Sequence, residues 1–218
     1  MQLNELRFNR LLPEEFKEDF FVFDFTENNP ELRDVDVSNP EDFTNYIWRK
    51  LKENNCSFGV GRYNEDRILY RHSPLFSNVR SIHLGMDLFV ASGINIFCPI
   101  DGKIHSFNNN KARGDYGPTI ILEHNEGGMR FFTLYGHLNE ESLAGLKEGQ
   151  LIRRGEIVGC VGDSDVNGGW PPHLHFQIIT EIGDKRGDFP GVSSKQDIEH
   201  NLKTCPDPNI ILGLPIQV

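Results

Sequence analysis

Basic residues are the scarcer charges in this chain: 22 lysines and arginines stand against 32 aspartates and glutamates, for a formal net charge of -10 over 218 residues. Nucleic acids and anionic membrane surfaces select for clustered Lys and Arg, so neither is expected as a partner. Long apolar runs are also missing, and membrane insertion is therefore not expected. Phe20-Phe21-Val22-Phe23 is too short and is flanked by Asp19 and Asp24. The opening Met1-Gln2-Leu3-Asn4-Glu5-Leu6-Arg7 has neither the positive region nor the apolar stretch of a secretory signal. A cytoplasmic location is the expectation, with a periplasmic or secreted one if the native start differs. Cysteine is sparse and scattered, at Cys56, Cys98, Cys160 and Cys205, with no Cys-x-x-Cys pair. That spacing signals neither a zinc ribbon nor a redox motif, and four free thiols are expected in a chain of this size.

What remains is ordinary for a globular protein, with 38% hydrophobic and 25% charged residues. Ser38-Asn39-Pro40-Glu41-Asp42 reads as a helix start, Phe43, Ile47 and Leu51 repeat every four residues, and Asn54-Asn55 ends the pattern. Phe58–Tyr63, a turn at Asn64-Glu65-Asp66 and a return through Arg67–Tyr70 predict a hairpin. Gly59 and Gly61 there suit closely packed strands rather than a phosphate loop. Short strands separated by Gly, Asn and Pro turns follow, including a hairpin from Pro118–His124 to Arg130–Leu138 through Asn125-Glu126-Gly127-Gly128. The expected fold is mainly β: an antiparallel core at 76–190, an amino-terminal extension at 1–75 holding the helix and the first hairpin, and a tail at 191–218 with a short helix and loop. The apolar content of the extension predicts that it packs on the core. It either stabilises that core or, with the Arg113–Tyr116 loop, narrows a groove over it.

Three stretches carry chemistry. In Trp170-Pro171-Pro172-His173-Leu174-His175-Phe176-Gln177-Ile178, strand alternation puts His173, His175 and Gln177 on one face and Leu174, Phe176 and Ile178 on the other. Ser81–Leu88 alternates without a break, so His83, Gly85 and Asp87 share a face. Phe131–Leu138 places Thr133, Tyr135 and His137 on one side of a third strand. Two imidazoles and a carboxylate are the ligand set of a catalytic zinc site, which keeps a fourth position for water or substrate. Spacing does not choose between His173 and His175 as the third ligand. His72, His105, His124 and His200 have no partner at diagnostic spacing and are expected to be structural or surface residues, His124 solvated beside its turn. Asp163-Ser164-Asp165-Val166-Asn167-Gly168 opens like a calcium loop, but Leu174 occupies the position that needs a bidentate Glu, leaving a glycine-rich turn.

His83-x-x-x-Asp87, Leu134-Tyr135-Gly136-His137-Leu138 and Pro172-His173-Leu174-His175-Phe176, in that order, resemble the lysostaphin-type zinc metallopeptidases, many of which are peptidoglycan endopeptidases. The likeness runs from about Arg80 to Thr180. It implies one zinc ion held by His83, Asp87 and His175, with His137 and His173 left to hold a metal-activated water, take its proton and steady the oxyanion. Tyr116, Asn167 and Trp170 are candidate cleft residues. The implied function is hydrolysis of a peptide bond, with a peptide or peptidoglycan fragment as substrate. The turn before Pro172-His173 departs from the family pattern. Tyr116-Gly117-Pro118, Asn167–His173 and Cys205-Pro206-Asp207-Pro208-Asn209 also resemble peptidase-like modules fused to phosphotransferase and aminotransferase domains in large intracellular proteins. The alternatives are thus a cytosolic amide hydrolase with a substrate outside the cell wall, or a catalytically silent zinc-binding module. Nothing in the sequence specifies an oligomeric state.

Overall fold

A period of two in apolar residues makes strand the commonest regular structure of this chain. The computed structural model describes residues 3–16, 19–70, 74–76 and 79–216, so His72 lies outside the described residues. In chain order the strands are β1 (Phe20–Phe23), β2 (Phe58–Gly61), β3 (Arg80–His83), β4 (Met86–Phe89), β5 (Asn95–Phe97), β6 (Gly102–Asn110), β7 (Gly117–Glu126), β8 (Met129–Gly136), β9 (Leu151–Ile152), β10 (Ile157–Cys160), β11 (Leu174–Ile179) and β12 (Val192–Ser194). The helices are α1 (Pro40–Glu53), α2 (Ile198–Thr204) and α3 (Asn209–Leu212). Eight strands form one sheet in the order β1-β2-β4-β11-β8-β7-β6-β9, while β5 pairs with β10 and β3 with β12. The fold is mainly β with an antiparallel core, as the strand pattern predicts.

The helix begins where its signals place it. The Asn39 side chain accepts from the Glu41 and Asp42 amides, Pro40 occupies the first turn, and Phe43, Ile47 and Leu51 are buried. It bridges β1 and β2, which pair in parallel and so require a crossover. The helix packs its aromatic face on the end of β1 and the residues just after it: Tyr46 meets Phe23 and Phe43 meets Phe25. The first arm of the expected hairpin is β2, and the chain turns at Asn64 with φ 53°. The return arm differs, because Ile68–Tyr70 is a 3-10 turn and β2 pairs with β1 and β4 instead. This segment pairs elsewhere: Asp66 bridges Ile82, the Arg67 amide donates to the Ser81 carbonyl and the Ile68 amide to the Phe25 carbonyl, while the Arg67 side chain turns inward onto Asp87.

The sheet has two differently used faces. Met86 and Leu88 of β4, Leu174, Phe176 and Ile178 of β11, Tyr135 of β8 and Ile120 and Leu122 of β7 pack into one core on the first face. On the second face an aromatic cluster of Phe23, Phe25, Phe43 and Phe89 sits at one end, and Ile121, Phe132, Leu134, Ile182 and Phe189 sit at the other. Asp87 and His175 emerge between these two clusters. The alternation expected for β11 holds. The unbroken strand expected over Ser81–Leu88 does not: it splits at Leu84-Gly85 into β3, which pairs with β12, and β4, which stays in the large sheet. The Leu84 amide donates to the Gly191 carbonyl at that break, 2.9 Å away.

His124 also departs from expectation. It is fully buried in the β7–β8 hairpin, donating from Nδ1 to the Asp101 carbonyl at 3.0 Å and meeting Thr133 Oγ1 through Nε2 at 2.7 Å. The Tyr135 hydroxyl continues this chain from Thr133 at 3.0 Å. Alternation along β7 puts His124 on the face of Ile120 and Leu122, so it is carried into the core. Burial lowers its pKa to about 4 from the ordinary 6.5. The unfolded chain therefore binds the proton first as pH falls, and this contribution to stability is complete above about pH 6.5 and gone below about pH 4. Urea unfolding of wild type and His124→Asn across that range should show the wild type losing up to about 3 kcal/mol more than the variant. Parallel curves for the two proteins would refute the assignment.

Candidate metal centre

Cross-strand register brings the polar residues together: His175 of β11 stands opposite Asp87 of β4 on one side and Gly136 of β8 on the other. His83 arrives from the end of β3. All three candidate ligands are buried. His83 Nε2 is 3.0 Å from His175 Nδ1, His175 Nδ1 is 3.1 Å from Asp87 Oδ1, and His83 Nε2 is 3.3 Å from Asp87 Oδ1. Two nitrogens and an oxygen bound to zinc in tetrahedral array lie about 3.3 Å apart, so the triangle has the size of one face of such a site.

The protons of this triangle are elsewhere. His83 Nδ1 faces the Arg62 carbonyl at 2.9 Å and must donate to it, which leaves Nε2 with a bare lone pair. His175 Nε2 faces Gln177 Oε1 at 3.0 Å, and Gln177 Nε2 is committed to the Pro190 carbonyl at 3.1 Å. The Nε2–H tautomer of His175 that this acceptor selects presents Nδ1 as a lone pair toward Asp87 and His83. Burial, then Arg67, pushes His83 down to about pKa 4. Burial alone would raise Asp87, but His83, Arg67 and His173 hold it well below the usual carboxylate range. In the tautomers that the Arg62 carbonyl and Gln177 amide oxygen select, three lone-pair atoms converge on one point, an arrangement that a bound cation resolves. The donor set thus fits a zinc ion.

His173 and His137 flank the triangle. His173 Nδ1 donates to the Pro171 carbonyl at 2.7 Å and its Nε2 is 3.8 Å from Asp87 Oδ1. His137 Nδ1 donates to the Asn167 carbonyl at 2.8 Å, and the two rings lie 4.2 Å apart between centroids. Burial lowers both pKa values, so both are neutral with a free Nε2 at pH 7. His137 is not in the strand that sequence alternation assigned. β8 ends at Gly136, Thr133 and Tyr135 point to the opposite face, and His137 would follow them but for its left-handed φ of 61°. That turn returns the ring to the site.

A cavity of about 210 Å³ opens over these residues. Tyr116 and Trp170 line it, with the Tyr116 hydroxyl 3.5 Å from His175 Nε2. Asn167 instead is fully buried behind His137, tied to Trp170 by both ends of its side chain. The extension supplies a wall through Phe43, Leu69 and Tyr70, continued by Phe76 at the start of the core, and Arg113 reaches the Ser38 carbonyl at 2.6 Å. Sequence reasoning missed Glu65 and Arg67, whose sole signal was a charged pair heading an apolar run. It also missed the carbonyls of Arg62, Pro171 and Asn167, since backbone acceptors leave no mark in a sequence.

A profile of peptidase family M23 matches residues 81–187, which hold all five histidine and aspartate positions of the site. The chain carries a peptidase family M23 domain. Over 108 residues it is 29% identical to an uncharacterized metalloprotease of Haemophilus influenzae, covering 50% of this chain and 20% of that protein. Over 119 residues it is 28% identical to an L-Ala--D-Glu endopeptidase of Bacillus subtilis, covering 50% of this chain and 33% of that protein. The chain thus spans a fifth to a third of the length of these curated relatives. Among solved structures, a zinc containing peptidase from Vibrio cholerae aligns at 27% identity and a TM-score of 0.40, over 54% of this chain and 31% of that one.

Packing makes the M23 site sensitive to one glycine. A Cβ on Gly85 would lie 2.5 Å from His175 Cε1 and 2.8 Å from the Phe176 carbonyl oxygen. Gly85→Ala should cost about 1–3 kcal/mol in urea unfolding. It should also reduce zinc uptake at equimolar metal, because His175 is displaced; unchanged zinc content in a folded variant would contradict this.

Proposed function

We propose that this protein hydrolyses a peptide bond with zinc held by His83, Asp87 and His175. The observation that carries the reading is the convergence of three proton-free acceptors beside two neutral imidazoles with free Nε2 atoms. A zinc ion there would supply a Lewis acid for a carbonyl and lower the pKa of a water to about 7. His173 and His137 hold the attacking water through their Nε2 atoms, and one takes its proton as the water oxygen bonds to the carbonyl carbon. That proton then passes to the leaving amine as the C–N bond breaks. Burial keeps the Tyr116 hydroxyl protonated, so it remains a hydrogen-bond donor at the cleft rim.

A peptidoglycan-type peptide is the substrate class favoured by the B. subtilis relative, whose name places its cleavage at L-Ala--D-Glu. The aromatic wall of Tyr70, Phe76 and Trp170 favours a second class, an amide outside the cell wall with an apolar group on one side. His175→Ala should abolish stoichiometric zinc binding. His173→Ala should keep the zinc and lower turnover about 10²–10⁴-fold. Metal analysis and a cleavage panel of muropeptides and apolar peptide amides, with and without a chelator, make the measurement. Full zinc in His175→Ala would overturn the ligand set, and zinc without chelator-sensitive cleavage would leave a silent binding module.

A further inference from the structure

We infer that Arg67 is a positioning residue of the metal centre, holding Asp87 so that only one carboxylate oxygen faces the histidines. The inference rests on the zinc reading above, and Arg67 lies outside the M23-matched residues 81–187. Its Nη1 donates to Asp87 Oδ2 at 2.6 Å, while Oδ1 is the oxygen directed at His83 and His175. With Oδ2 occupied, Asp87 can neither rotate nor offer both oxygens. Arg67 Nη2 donates at 3.2 Å to the Arg62 carbonyl, the same oxygen that sets the tautomer of His83. One guanidinium therefore steadies two of the three ligands. A planar fork with five donors can do this, and a Lys ammonium cannot reproduce it.

The surroundings are built around that fork. Arg67 is 1% exposed, beside the rings of Phe25 and Tyr70, with the Tyr70 hydroxyl 3.1 Å from Nη1. A Cβ on Gly61 would come within 2.7 Å of Arg67 Nη2 and 3.1 Å of Asp87 Oδ2, so β2 passes the pair only as glycine. Glu65, itself buried, accepts from Arg67 Nε at 2.9 Å through Oε2. Arg62 pairs with Glu65 as well and with Asp24 beyond it, so the three carboxylates of Asp87, Glu65 and Asp24 outnumber the two guanidinium groups by one. The clamp consequently does not remove the negative charge that attracts a cation.

A purely structural ion pair would leave metal affinity alone once folding is preserved, and that separates the two roles. Glu65→Gln with Arg67→Met removes this buried pair together, while Arg62 keeps Asp24 as a partner and Asp87 keeps the His83 and His175 rings beside it, so this double variant should fold. Arg67→Lys keeps the charge and loses the fork. Zinc affinity by competition with a chromophoric chelator should fall about 10–100-fold in both, with near-ultraviolet circular dichroism retained. The visible spectrum of the cobalt(II)-loaded proteins should change as Asp87 loses its fixed orientation. Wild-type affinity and spectrum in the folded double variant would overturn the clamp, and wild-type values in Arg67→Lys would reduce it to charge alone. Absence of zinc binding by the wild type would instead sink the zinc reading and the clamp with it.

Discussion

The register of β11 between β4 and β8 is the constraint on which the site depends. His175 is opposite Asp87 across one strand boundary and opposite Gly136 across the other, so one residue of β11 fixes the approach of both neighbours. A slip by one residue would turn His175 into the core and bring Leu174 or Phe176 to the cleft. The apolar face prevents this, because Leu174, Phe176 and Ile178 are fully buried beneath the site. Packing on one face thereby holds chemistry on the other.

Each imidazole is oriented by an acceptor on its far side. Arg62, Pro171 and Asn167 offer carbonyls and Gln177 offers an amide oxygen, and in every case the outer nitrogen carries the hydrogen and donates it to that oxygen, so that the inner nitrogen is the acceptor of the neutral ring. Such acceptors fix ring, tautomer and direction together, which is what a metal ligand or a proton acceptor requires. The arrangement is unfavourable without a cation, since buried lone pairs face one another. Folding energy from the surrounding cores sustains it, and ion binding would return part of that cost.

The amino-terminal layer belongs to this economy of positions. β1 and β2 continue the sheet past β4, α1 covers the crossover, and the turn between β2 and β3 carries Arg62, Glu65 and Arg67 to the back of His83 and Asp87. The same layer walls the cleft with aromatic rings. Packing and access to the site are thus set by one group of side chains, with Tyr70 touching both Arg67 and Trp170.

Local rules made much of this legible. Period-two alternation placed His175 and Gln177 opposite Leu174 and Phe176, and capping chemistry placed α1 between Asn39 and Asn54, because both depend only on neighbours along the chain. The ordered motifs of His83, Asp87, His137, His173 and His175 pointed to a metal-dependent hydrolase. Alternation failed where a single backbone angle overrides it. His137 turns back through a left-handed residue, and the Ser81–Leu88 run breaks at Leu84-Gly85, where the Leu84 amide donates to the Gly191 carbonyl and the chain passes from the β12 pairing to the large sheet. His124 was misread because its partners, Asp101 and Thr133, become neighbours only when β7 and β8 pair. Arg67 lies 20 residues from Asp87 in the chain. Charge and hydrogen-bond complementarity between distant segments leave no period in a sequence, so the tertiary structure alone decided which carboxylate that guanidinium would hold.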